Sequence, residues 1–599
     1  MTWILWVLLA ILWGGDALRM RGRARALARL EPSDDASTGF SLVAAPGVTV
    51  SEKTLRAAAA HARREGLEAV DLVPADLPAW RALYLLATCD VPRYRRSAIA
   101  HGRGAGHAVV LADALRERLG DVTVESAAAF LALTARCKQY ASRATDLAVA
   151  PGLATQSDGS AVRRLLLAGV FGDLTQVVFL VQTVMVVLAA FGLFVAPVAA
   201  AVALALLQLQ PLLATAGSAL RPRDLALVTL LRAPLDLVEV VRLVAVGPPR
   251  RPDAVAPLRP VYRDLVAEGT GRFFEPRRDD CPLCGGRDLA VALVTDDLFQ
   301  HKPGRFHLDR CSACGHLFQN PRLTVEGLDY YYKDAYDGLN AERVESLFAF
   351  SDGPYLARAK TVTSVGQPSR WLDVGGGHGH FAAVAGSVLE GTRFDGLDLS
   401  ASIEEAERRR WVGRGWRGLF PDLADALAGE GYDTISMSHY LEHTRDPAAE
   451  IAAAARVLGP GGHLFIEVPD PDSRLGRILG SYWVPWFQPQ HQHLLSVGNL
   501  EKLLRAHGFE PVVWDRGDAH LPNDFHLAAV LLMGRLGRGT DVPWRDAPSL
   551  AARAWGKAVF WMGLPLVLGA WALDIVLAPA LRRPGWSNAY RVVARRAAS

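Results

Sequence analysis

The fold of the carboxy-terminal half is decided by one stretch, Leu372-Asp373-Val374-Gly375-Gly376-Gly377-His378-Gly379. The apolar residues that lead into it from Arg370 predict a buried strand, and the alanine-rich residues after Phe381 predict a helix. Glycines at alternate positions let the backbone pass close to a ligand at the carboxyl end of a parallel strand. The stretch therefore predicts a cofactor loop at the edge of an α/β sheet.

The loop taken alone fits two classes of cofactor domain. Residues 377–382 also match the dinucleotide pattern G-x-G-x-x-A. A second predicted strand, 394–400, carries Asp398 near its end, and an acid at that place would serve either cofactor. Two later segments separate the classes: a strand running from Tyr432 into Leu441-Glu442-His443, and a helix, Pro-Gly-Gly turn and strand over 456–469. A dinucleotide domain has no reason to show these two in that order.

Together these segments resemble class I S-adenosylmethionine (SAM)-dependent methyltransferases over about residues 281–596. The resemblance implies a Rossmann-like, seven-stranded α/β methyltransferase sheet, with residues 509–514 as the sixth strand and 587–595 as the reversed seventh. It also implies a set of cofactor-binding residues. These are Asp373, Gly375, Gly377, Gly379, Asp398 and His439.

Three histidines are candidates for the catalytic base. An oxygen acceptor must lose its proton during methyl transfer, and histidine can take one near neutral pH. His443 ends the predicted fourth strand, and His491 and His493 lie in the loop after the fifth, so they can meet over the methyl group. The alternative is that these histidines shape the pocket or bind substrate.

Four of the six cysteines form two C-x-x-C pairs, Cys281/Cys284 and Cys311/Cys314. Each pair is followed by glycine, so each makes a tight knuckle, and four thiolates complete a closed structural Zn²⁺ site in a reducing compartment. The alternatives are a redox dithiol and an iron–sulfur cluster. The flanking residues, 306–311 and 316–321, resemble the zinc ribbon that precedes bacterial sugar- and lipid-modifying methyltransferases.

The amino-terminal half contains long apolar segments. The run from Thr2 to Trp13 precedes an arginine-rich stretch, which predicts an uncleaved membrane anchor with a cytoplasmic flank, or else an interfacial helix. Residues 174–220 carry no charged side chain and predict two transmembrane helices, 174–194 and 198–219. Residues 224–246 mix charges into an apolar pattern and predict a helix on the membrane surface.

A further apolar segment, Val559 to Leu581, lies between the predicted sixth and seventh strands. Both strands belong to one sheet and must lie on the same side of a membrane. This segment is therefore predicted to lie in or on the membrane face near the substrate entrance, and not to cross alone. A hairpin with residues 527–536 as partner is the alternative.

The predicted organisation follows from these segments. It consists of a membrane anchor (1–30), a small α/β domain, interpreted as degenerate (39–160), a transmembrane pair with a surface helix (165–246), a linker (247–275), a zinc ribbon (276–330), and a methyltransferase domain (331–599) with a membrane-associated insertion at about 524–583. By layout alone the amino-terminal half faintly resembles membrane-bound glycosyltransferases of the ceramide-glucosyltransferase type. It has no Asp-x-Asp motif between Gly39 and Gly159, so a degenerate or structural domain is expected.

The net charge of +3 gives no support for nucleic-acid binding. We therefore expect a multi-pass protein of the bacterial cytoplasmic membrane, with its methyltransferase domain in the cytoplasm. The expected acceptor is a sugar hydroxyl of a lipid-linked or cell-surface glycan. A lipid or quinone acceptor is the alternative, because the Leu-Glu-His ending also occurs in quinone methyltransferases. A scaffold that binds SAM without turnover is the third hypothesis.

Overall fold

The computed structural model describes residues 3–100, 104–154, 175–246, 254–335, 338–537 and 539–598. The chain divides into two compact units, Met1–Arg251 and Pro252–Ser599.

The described part of the amino-terminal unit contains one five-stranded sheet with the strand order β1-β5-β3-β4-β2. Strand β4 is antiparallel to both of its neighbours, and the other pairs are parallel. The strands are β1 (Ala28–Arg29), β2 (Phe40–Ala44), β3 (Ala69–Pro74), β4 (Ala108–Ala112) and β5 (Thr145–Ala150). The helices are α1 (Ile4–Ala26), α2 (Glu52–Glu65), α3 (Ala79–Thr88), α4 (Val91–Arg96), α5 (Asp113–Leu119), α6 (Ala127–Ala141), α7 (Thr175–Val195), α8 (Pro197–Thr215), α9 (Leu225–Leu230) and α10 (Arg232–Val246).

Four of the five strands and helix α2 lie within the predicted small α/β domain, 39–160, whereas β1 precedes it. The hydroxyl oxygen of Ser51 accepts a hydrogen bond from the backbone N–H of Thr54 at 3.2 Å, so Ser51 is the N-cap of α2. The helix ends at Gly66, which takes a left-handed conformation. The buried faces of β3, β4 and β5 and the alanine-rich face of α2 share one apolar core.

The apolar helices of this unit pack on one another. Trp6, Leu9 and Trp13 of α1 are buried against α8, and the Trp6 indole donates to the carbonyl of Leu188 in α7 at 3.0 Å. Helix α1 continues through the arginine-rich stretch and is 23 residues long. Among the described residues, two helices of the chain are long and apolar enough to cross a membrane, Pro197–Thr215 and Leu550–Leu581. The apolar part of α7, Val181–Val195, is shorter.

Helix α10, predicted to lie on a membrane surface, pairs Asp236 both with α7 and with its own Arg232. The Gln182 amide donates to Asp236 at 2.8 Å, and Arg232 donates to the same carboxylate at 2.9 Å. These charges therefore have partners within the unit and do not all face water.

The carboxy-terminal unit contains, among its described residues, a seven-stranded sheet with the order β11-β10-β9-β12-β13-β16-β15. Strand β16 alone in this sheet is antiparallel to its neighbours. In chain order this is 3-2-1-4-5-7-6. The strands are β9 (Arg370–Val374), β10 (Arg393–Asp398), β11 (Gly415–Arg417), β12 (Thr434–Ser438), β13 (His463–Pro469), β15 (Phe509–Asp515) and β16 (Ala589–Arg596). The structure thus has the predicted α/β methyltransferase fold, together with one short strand, β11, that the sequence did not indicate.

A second sheet in this unit has the order β14-β8-β7-β6 and is antiparallel throughout. Its strands are β6 (Leu289–Thr295), β7 (Phe306–Cys311), β8 (Leu317–Gln319) and β14 (His493–Leu494). Strand β14 follows β13 along the chain and completes the sheet of the cysteine knuckles. The predicted boundary at residue 330 therefore does not separate two independent bodies, since both lie in one compact unit.

The helices of this unit surround the large sheet and the second sheet. They are α11 (Arg259–Leu265), α12 (Val325–Tyr332), α13 (Ala341–Phe348), α14 (Gly353–Thr363), α15 (His380–Ala385), α16 (Ser402–Arg408), α17 (Phe420–Leu427), α18 (Pro447–Val457), α19 (Arg474–Leu479), α20 (Val497–Ala506), α21 (Asp524–Gly537) and α22 (Leu550–Leu581).

Part of the predicted linker, 247–275, belongs to the folded unit. Tyr262 of α11 is buried, its hydroxyl donates to Asp334 at 2.7 Å, and its ring packs edge-on against Trp544. Residues 247–253 of the predicted linker lie outside the described residues. The unit therefore begins earlier than the composition indicated, because a few aromatic residues anchor this stretch.

The predicted insertion is a hairpin of α21 against α22. A Cβ atom added to Gly556 would lie 3.1 Å from the Cα atom of Gly539, and one added to Gly563 would overlap the Met533 side chain. This close approach fits the hairpin with residues 527–536 that the sequence offers as the alternative. Helix α21 has 14 residues, which is about 21 Å of helix and less than a membrane span.

Asp574 explains why an acid stands within the apolar helix α22. Its buried carboxylate accepts hydrogen bonds from the backbone N–H groups of Phe525 and His526 at 3.0 and 2.9 Å, at the start of α21. The His526 ring lies 2.9 Å from the same carboxylate. One side chain thus serves as the cap of a neighbouring helix, where negative charge is favourable.

We expect Asp574→Ala to loosen the hairpin, because it leaves N–H groups at the start of α21 without an acceptor, at a cost of about 1–3 kcal/mol. Hydrogen exchange of the full-length protein should become roughly five- to a hundred-fold faster at Phe525 and His526. Asp518→Ala, which removes an exposed acid close to α21, is the control. Unchanged exchange in Asp574→Ala would show that the cap does not hold the hairpin.

Candidate cofactor and acceptor site

The glycine loop leaves β9 and is held against β10. The N–H groups of Gly375 and Gly376 both donate to the carbonyl of Leu397, at 2.8 and 3.1 Å. Gly375, Gly377 and Gly379 have φ angles of +74°, +52° and +77°, which residues with a Cβ atom rarely adopt. The alternation of glycines is therefore a requirement of the backbone path.

The surroundings of the three glycines differ. A Cβ atom on Gly375 would lie 2.6 Å from the Tyr440 ring, and one on Gly379 would lie 2.8 Å from the Ala406 side chain. A Cβ atom on Gly377 would meet, among the described residues other than its two chain neighbours, no atom within 4 Å. The backbone at Gly377 therefore borders open space, which is the place where a cofactor can approach it.

Asp398, at the end of β10, is the acid beside this space. Its two carboxylate oxygens accept from the N–H groups of Gly377 and Ser400, at 2.9 and 2.8 Å. Burial raises the pKa of the Asp398 carboxyl above its usual value, and the backbone donors oppose that rise. A half-buried carboxylate fixed next to open space fits the ribose hydroxyls of SAM.

Asp373 has a different surrounding from the one expected of a cofactor ligand. It is 4% exposed, and its carboxylate accepts from the Ser436 hydroxyl at 2.5 Å. Ser436 in turn accepts from the Trp371 indole at 2.8 Å. Burial raises the pKa of Asp373 to about 6. Asp373 therefore joins β9 to β12 beneath the loop, and its predicted direct contact with the cofactor remains a prediction.

His439, predicted to border the cofactor, lies between two buried carboxylates. Its ring nitrogens are 3.2 Å from Glu442 and 3.0 Å from Glu467. Burial lowers the pKa of His439, but the two hydrogen-bonded carboxylates outweigh it and raise this pKa to about 9. His439 is thus cationic at neutral pH and fixes the turn that leads from β12 to Glu442.

Glu467 in β13 is the centre of a charge network that the sequence analysis missed. It pairs with Arg358 of α14, with Arg591 of β16 and with His439. Burial raises the pKa of Glu467, yet Arg358 and His439 hold it well below its usual value. An acid within the apolar strand His463–Pro469 could have indicated a buried charge network. Its arginine partners, Arg358 and Arg591, could not be identified, because they lie 109 and 124 residues away along the chain.

The residues after His439 belong to a cluster of histidine and aromatic side chains. Leu441–His443 is a short 3-10 turn, and the rings of His443 and His491 lie 4.6 Å apart. The hydroxyl of Tyr332 is 2.7 Å from His443 Nδ1. Phe487 packs against both histidines. Tyr440 lies against Gly375 of the cofactor loop, and the cluster begins two residues after Tyr440, at Glu442.

Burial favours the neutral form of both histidines of the cluster. Desolvation lowers the pKa of His443, and burial together with the neighbouring His443 lowers the pKa of His491 to about 3. His491 is 7% exposed, whereas His443 is only partly buried and is open to an acceptor. Two of the three predicted catalytic histidines therefore meet.

His493, the third, is engaged elsewhere. Its Nδ1 atom is 3.1 Å from His316 Nε2, and its Nε2 atom is 3.2 Å from the carbonyl of Arg445. The rings of His316 and His493 stack with centroids 5.4 Å apart. Both nitrogens of His493 thus have partners, and it links the second sheet to the segment between β12 and α18 instead of joining the cluster.

The four cysteines converge as their spacing predicts. Their sulfur atoms all lie within 4.8 Å of one another, with Cys281 to Cys314 at 3.7 Å and Cys284 to Cys311 at 3.6 Å. The two glycines after the knuckles, Gly285 and Gly315, have φ angles of +71° and +74°. Such a set of soft donors suits Zn²⁺.

Comparisons with known proteins agree with this geometry. Residues 350–513 match the family model described as a methyltransferase domain. The ubiquinone biosynthesis O-methyltransferase of Dechloromonas aromatica is 29% identical over 131 residues, which are 21% of this chain and 55% of that protein. The protein of the same name from Hahella chejuensis is 33% identical over 131 residues, 21% of this chain and 54% of that protein. The chain thus spans about half the length of the curated relatives it matches.

Among solved structures, a SAM-dependent methyltransferase from Archaeoglobus fulgidus is 16% identical, with 43% of this chain and 99% of that chain covered and a TM-score of 0.27. The matched family model covers the cofactor loop and the strands β10 to β13 that follow it. The chain therefore carries a class I S-adenosylmethionine-dependent methyltransferase domain.

Proposed function

We propose that the protein transfers the methyl group of SAM to a hydroxyl oxygen of an acceptor held at a membrane. The observation that carries this proposal is the open space bordered by Gly377 and the fixed carboxylate of Asp398. The cluster of Glu442, His443 and His491 begins two residues after Tyr440, whose ring lies against the same loop.

The residues at this space would hold SAM in a defined way. The loop backbone at Gly375, Gly377 and Gly379 would lie along the cofactor, and Asp398 would accept from its ribose hydroxyls. When bound, SAM supplies a methyl group on a positively charged sulfur, which is already activated for displacement. The chain has to align the acceptor with that group and exclude water.

The acceptor side is suited to a hydroxyl. His443 and His491 are neutral imidazoles that can help to remove a proton, as predicted for them. Phe487 and Phe299, whose rings lie 4.4 Å apart, form an apolar wall beside them. These side chains exclude water from the acceptor and offer a flat surface to a ring.

The membrane part of the proposal rests on apolar surface. Large side chains of α22 are exposed, among them Trp555 at 55%, Trp571 at 53% and Val576 at 73%. Contiguous apolar surface of this kind marks a contact with lipid or protein, and tryptophans favour membrane interfaces. Together with the apolar α1 and α8, this favours a location at the bacterial cytoplasmic membrane.

Two classes of acceptor remain, and each has an observation in its favour. A sugar hydroxyl of a lipid-linked or cell-surface glycan is favoured by the cysteine-rich sheet that precedes the methyltransferase domain. A lipid or quinone is favoured by the relatives named ubiquinone biosynthesis O-methyltransferase. The four cysteines would hold a structural Zn²⁺ ion in either case.

We expect Asp398→Ala to lower the affinity for SAM by about 100-fold or more, because two hydrogen bonds from ligand hydroxyls to a charged group are lost. Isothermal titration calorimetry of the purified protein with SAM measures this change. Asp425→Ala, which alters an acid that is 93% exposed on α17, should leave the affinity unchanged. Equal affinities for Asp398→Ala and the wild type would disprove the assignment of the cofactor site.

We expect Cys284→Ser to carry one equivalent of zinc fewer than the wild type, because a closed site with three thiolates holds the ion weakly. Inductively coupled plasma mass spectrometry of the purified protein gives the zinc-to-protein ratio. Cys137→Ser, a lone buried cysteine of the other unit, is the control. An unchanged ratio in Cys284→Ser would exclude the four-cysteine zinc site.

We expect label from methyl-labelled SAM to appear in one membrane-derived fraction when the protein is supplied to extracts of a deletion strain. Label in the lipid-linked glycan or polysaccharide fraction supports the first acceptor class, and label in the quinone or simple-lipid fraction supports the second. Asp398→Ala protein provides the background. The absence of label in every fraction would favour a SAM-binding scaffold over an enzyme.

A further inference from the structure

The apolar wall beside the histidines is built from two segments of the chain. One is the Phe487 segment, residues 482–487, and the other is the Phe299 segment, residues 297–301. The rings of Phe487 and Phe299 meet with their centroids 4.4 Å apart. The spacing of the two segments therefore decides how wide the acceptor side of the site is.

The Phe487 segment is attached to the hairpin of α21 and α22. Trp483 is 1% exposed, and its indole N–H donates to a carboxylate oxygen of Asp524, the first residue of α21, at 3.0 Å. A guanidinium N–H of Arg535, further along α21, donates to the hydroxyl of Tyr482 at 3.2 Å. Trp483 also shares an apolar core with the end of α22. Both helices of the hairpin therefore hold this segment.

Asp524 also binds the large sheet. The side-chain amide of Asn588, which directly precedes β16, donates to both oxygens of Asp524, at 3.2 and 3.0 Å. The Asp524 carboxyl is 1% exposed, so water does not compete for these bonds or for the bond from Trp483. Asp524 is therefore a positioning residue, because it joins the hairpin to the sheet and to one side of the wall.

The Phe299 segment is attached to a different part of the hairpin. The indole N–H of Trp544, in the connection between α21 and α22, donates to the carbonyl of Gln300 at 2.7 Å. A Cβ atom added to Gly534 of α21 would lie 3.6 Å from Nε2 of His301. The hairpin thus contacts both segments that face each other across the acceptor side.

The cofactor loop is held by other parts of the unit. Its backbone donates to the carbonyl of Leu397 in β10, and Tyr440 and Ala406 lie against Gly375 and Gly379. These three residues lie outside the hairpin. A movement of the hairpin would therefore act on the acceptor side and leave the cofactor loop in place.

The exposed face of α22 has the charge pattern of a helix that lies on an anionic surface. Large apolar side chains are exposed along it, with Met562 at 66% and Val576 at 73%. Four exposed cations stand at its two ends: Arg553, Lys557, Arg582 and Arg583. Between these pairs the sequence has one charged residue, Asp574, and it is buried. An apolar face bordered by cations at both ends fits a bilayer with anionic headgroups.

We propose that the hairpin is a lipid-operated clamp on the acceptor side of the site. An anionic bilayer under the exposed face of α22 holds the hairpin in place. Through Asp524 and Trp544 the hairpin then holds the Phe487 and Phe299 segments at the spacing that binds the acceptor. Lipid favours this state because the closed hairpin presents a continuous apolar face, which a loosened one does not. The proposal rests on the proposed function, which places the acceptor at the same membrane.

Hydrogen exchange of the full-length protein in lipid nanodiscs tests the proposal. One set of nanodiscs contains phosphatidylcholine alone, and the other contains equal parts of phosphatidylcholine and phosphatidylglycerol. In the anionic set we expect the amides of both segments to exchange at least about fivefold more slowly. The amides of residues 375–379 should exchange at the same rate in both sets. Lys557→Glu combined with Arg583→Glu, one cation from each end of α22, should remove the difference between the sets.

Two single variants test the attachments of the hairpin. Trp483→Phe keeps an aromatic ring but removes the donor to Asp524, so the Phe487 segment should lose its response to anionic lipid while α22 keeps its own. Trp544→Phe should have the same effect on the Phe299 segment. Trp416→Phe, which removes an indole bond to Tyr432 beside the edge strand β11, is the matched control and should respond as the wild type does.

The outcomes distinguish this proposal from the proposed function. Slower exchange of α22 in the anionic set, without a change in either segment, overturns the clamp. Equal exchange of α22 in both sets overturns it as well, and so does a full response of both segments in Trp483→Phe and Trp544→Phe. Calorimetry on the same samples should show an unchanged affinity for SAM. Failure of the wild type to bind SAM overturns the proposed function instead.

Discussion

The carboxy-terminal unit depends on one buried charge network, the contacts of Glu467 with Arg358, Arg591 and His439. It joins the centre of the large sheet to helix α14, to the antiparallel strand β16 and to the turn after β12. Such a network is costly to bury and strongly destabilising to break, because any lost partner leaves an uncompensated charge. Its value is positional: the end of β12 is fixed, and with it Tyr440 against Gly375 and Glu442 beside the histidines.

The cysteine-rich sheet is part of the same machinery. Strand β14 pairs with β8 over His493–Phe318 and Leu494–Leu317, and the Gln319 N–H donates to the Gln492 carbonyl at 2.8 Å. The segment that carries His491 is therefore attached to the knuckle sheet on one side and to the large sheet on the other. The small sheet therefore fixes the position of His491 relative to His443. The cysteine knuckles take no part in methyl transfer, but they help to shape the candidate acceptor site.

The sequence predicted those parts of the fold that have local signals. Six strands of the large sheet are apolar runs bounded by glycine, proline or charge, and the alternating glycines required left-handed backbone. Strand β11 was missed because three residues at a sheet edge carry no periodicity. The hairpin of α21 and α22 stood only as the alternative because α21 was judged by its length for crossing a membrane, while its contact with α22 uses small residues and one acid, Asp574.

The candidate site divides in the same way. Asp398 and the glycine loop could be predicted, since local spacing determines them. Tyr332, Arg358, Glu467 and Arg591 could not, because their contacts join residues more than 100 positions apart. His491 and His493 are two residues apart and looked equivalent. Only the pairing of β14 with β8 assigns one of them to the cluster and the other to His316.

The place of the hairpin in the chain affects how the protein is made. Strand β16 lies between β13 and β15, and α21 and α22 precede it in sequence. During synthesis, β13 and β15 therefore each keep one unpaired edge until α22 has left the ribosome and β16 can insert between them. Exposed strand edges and an unprotected apolar helix both favour aggregation. At the membrane location proposed for the protein, early contact of the hairpin with a lipid surface would shelter the helix while β16 inserts.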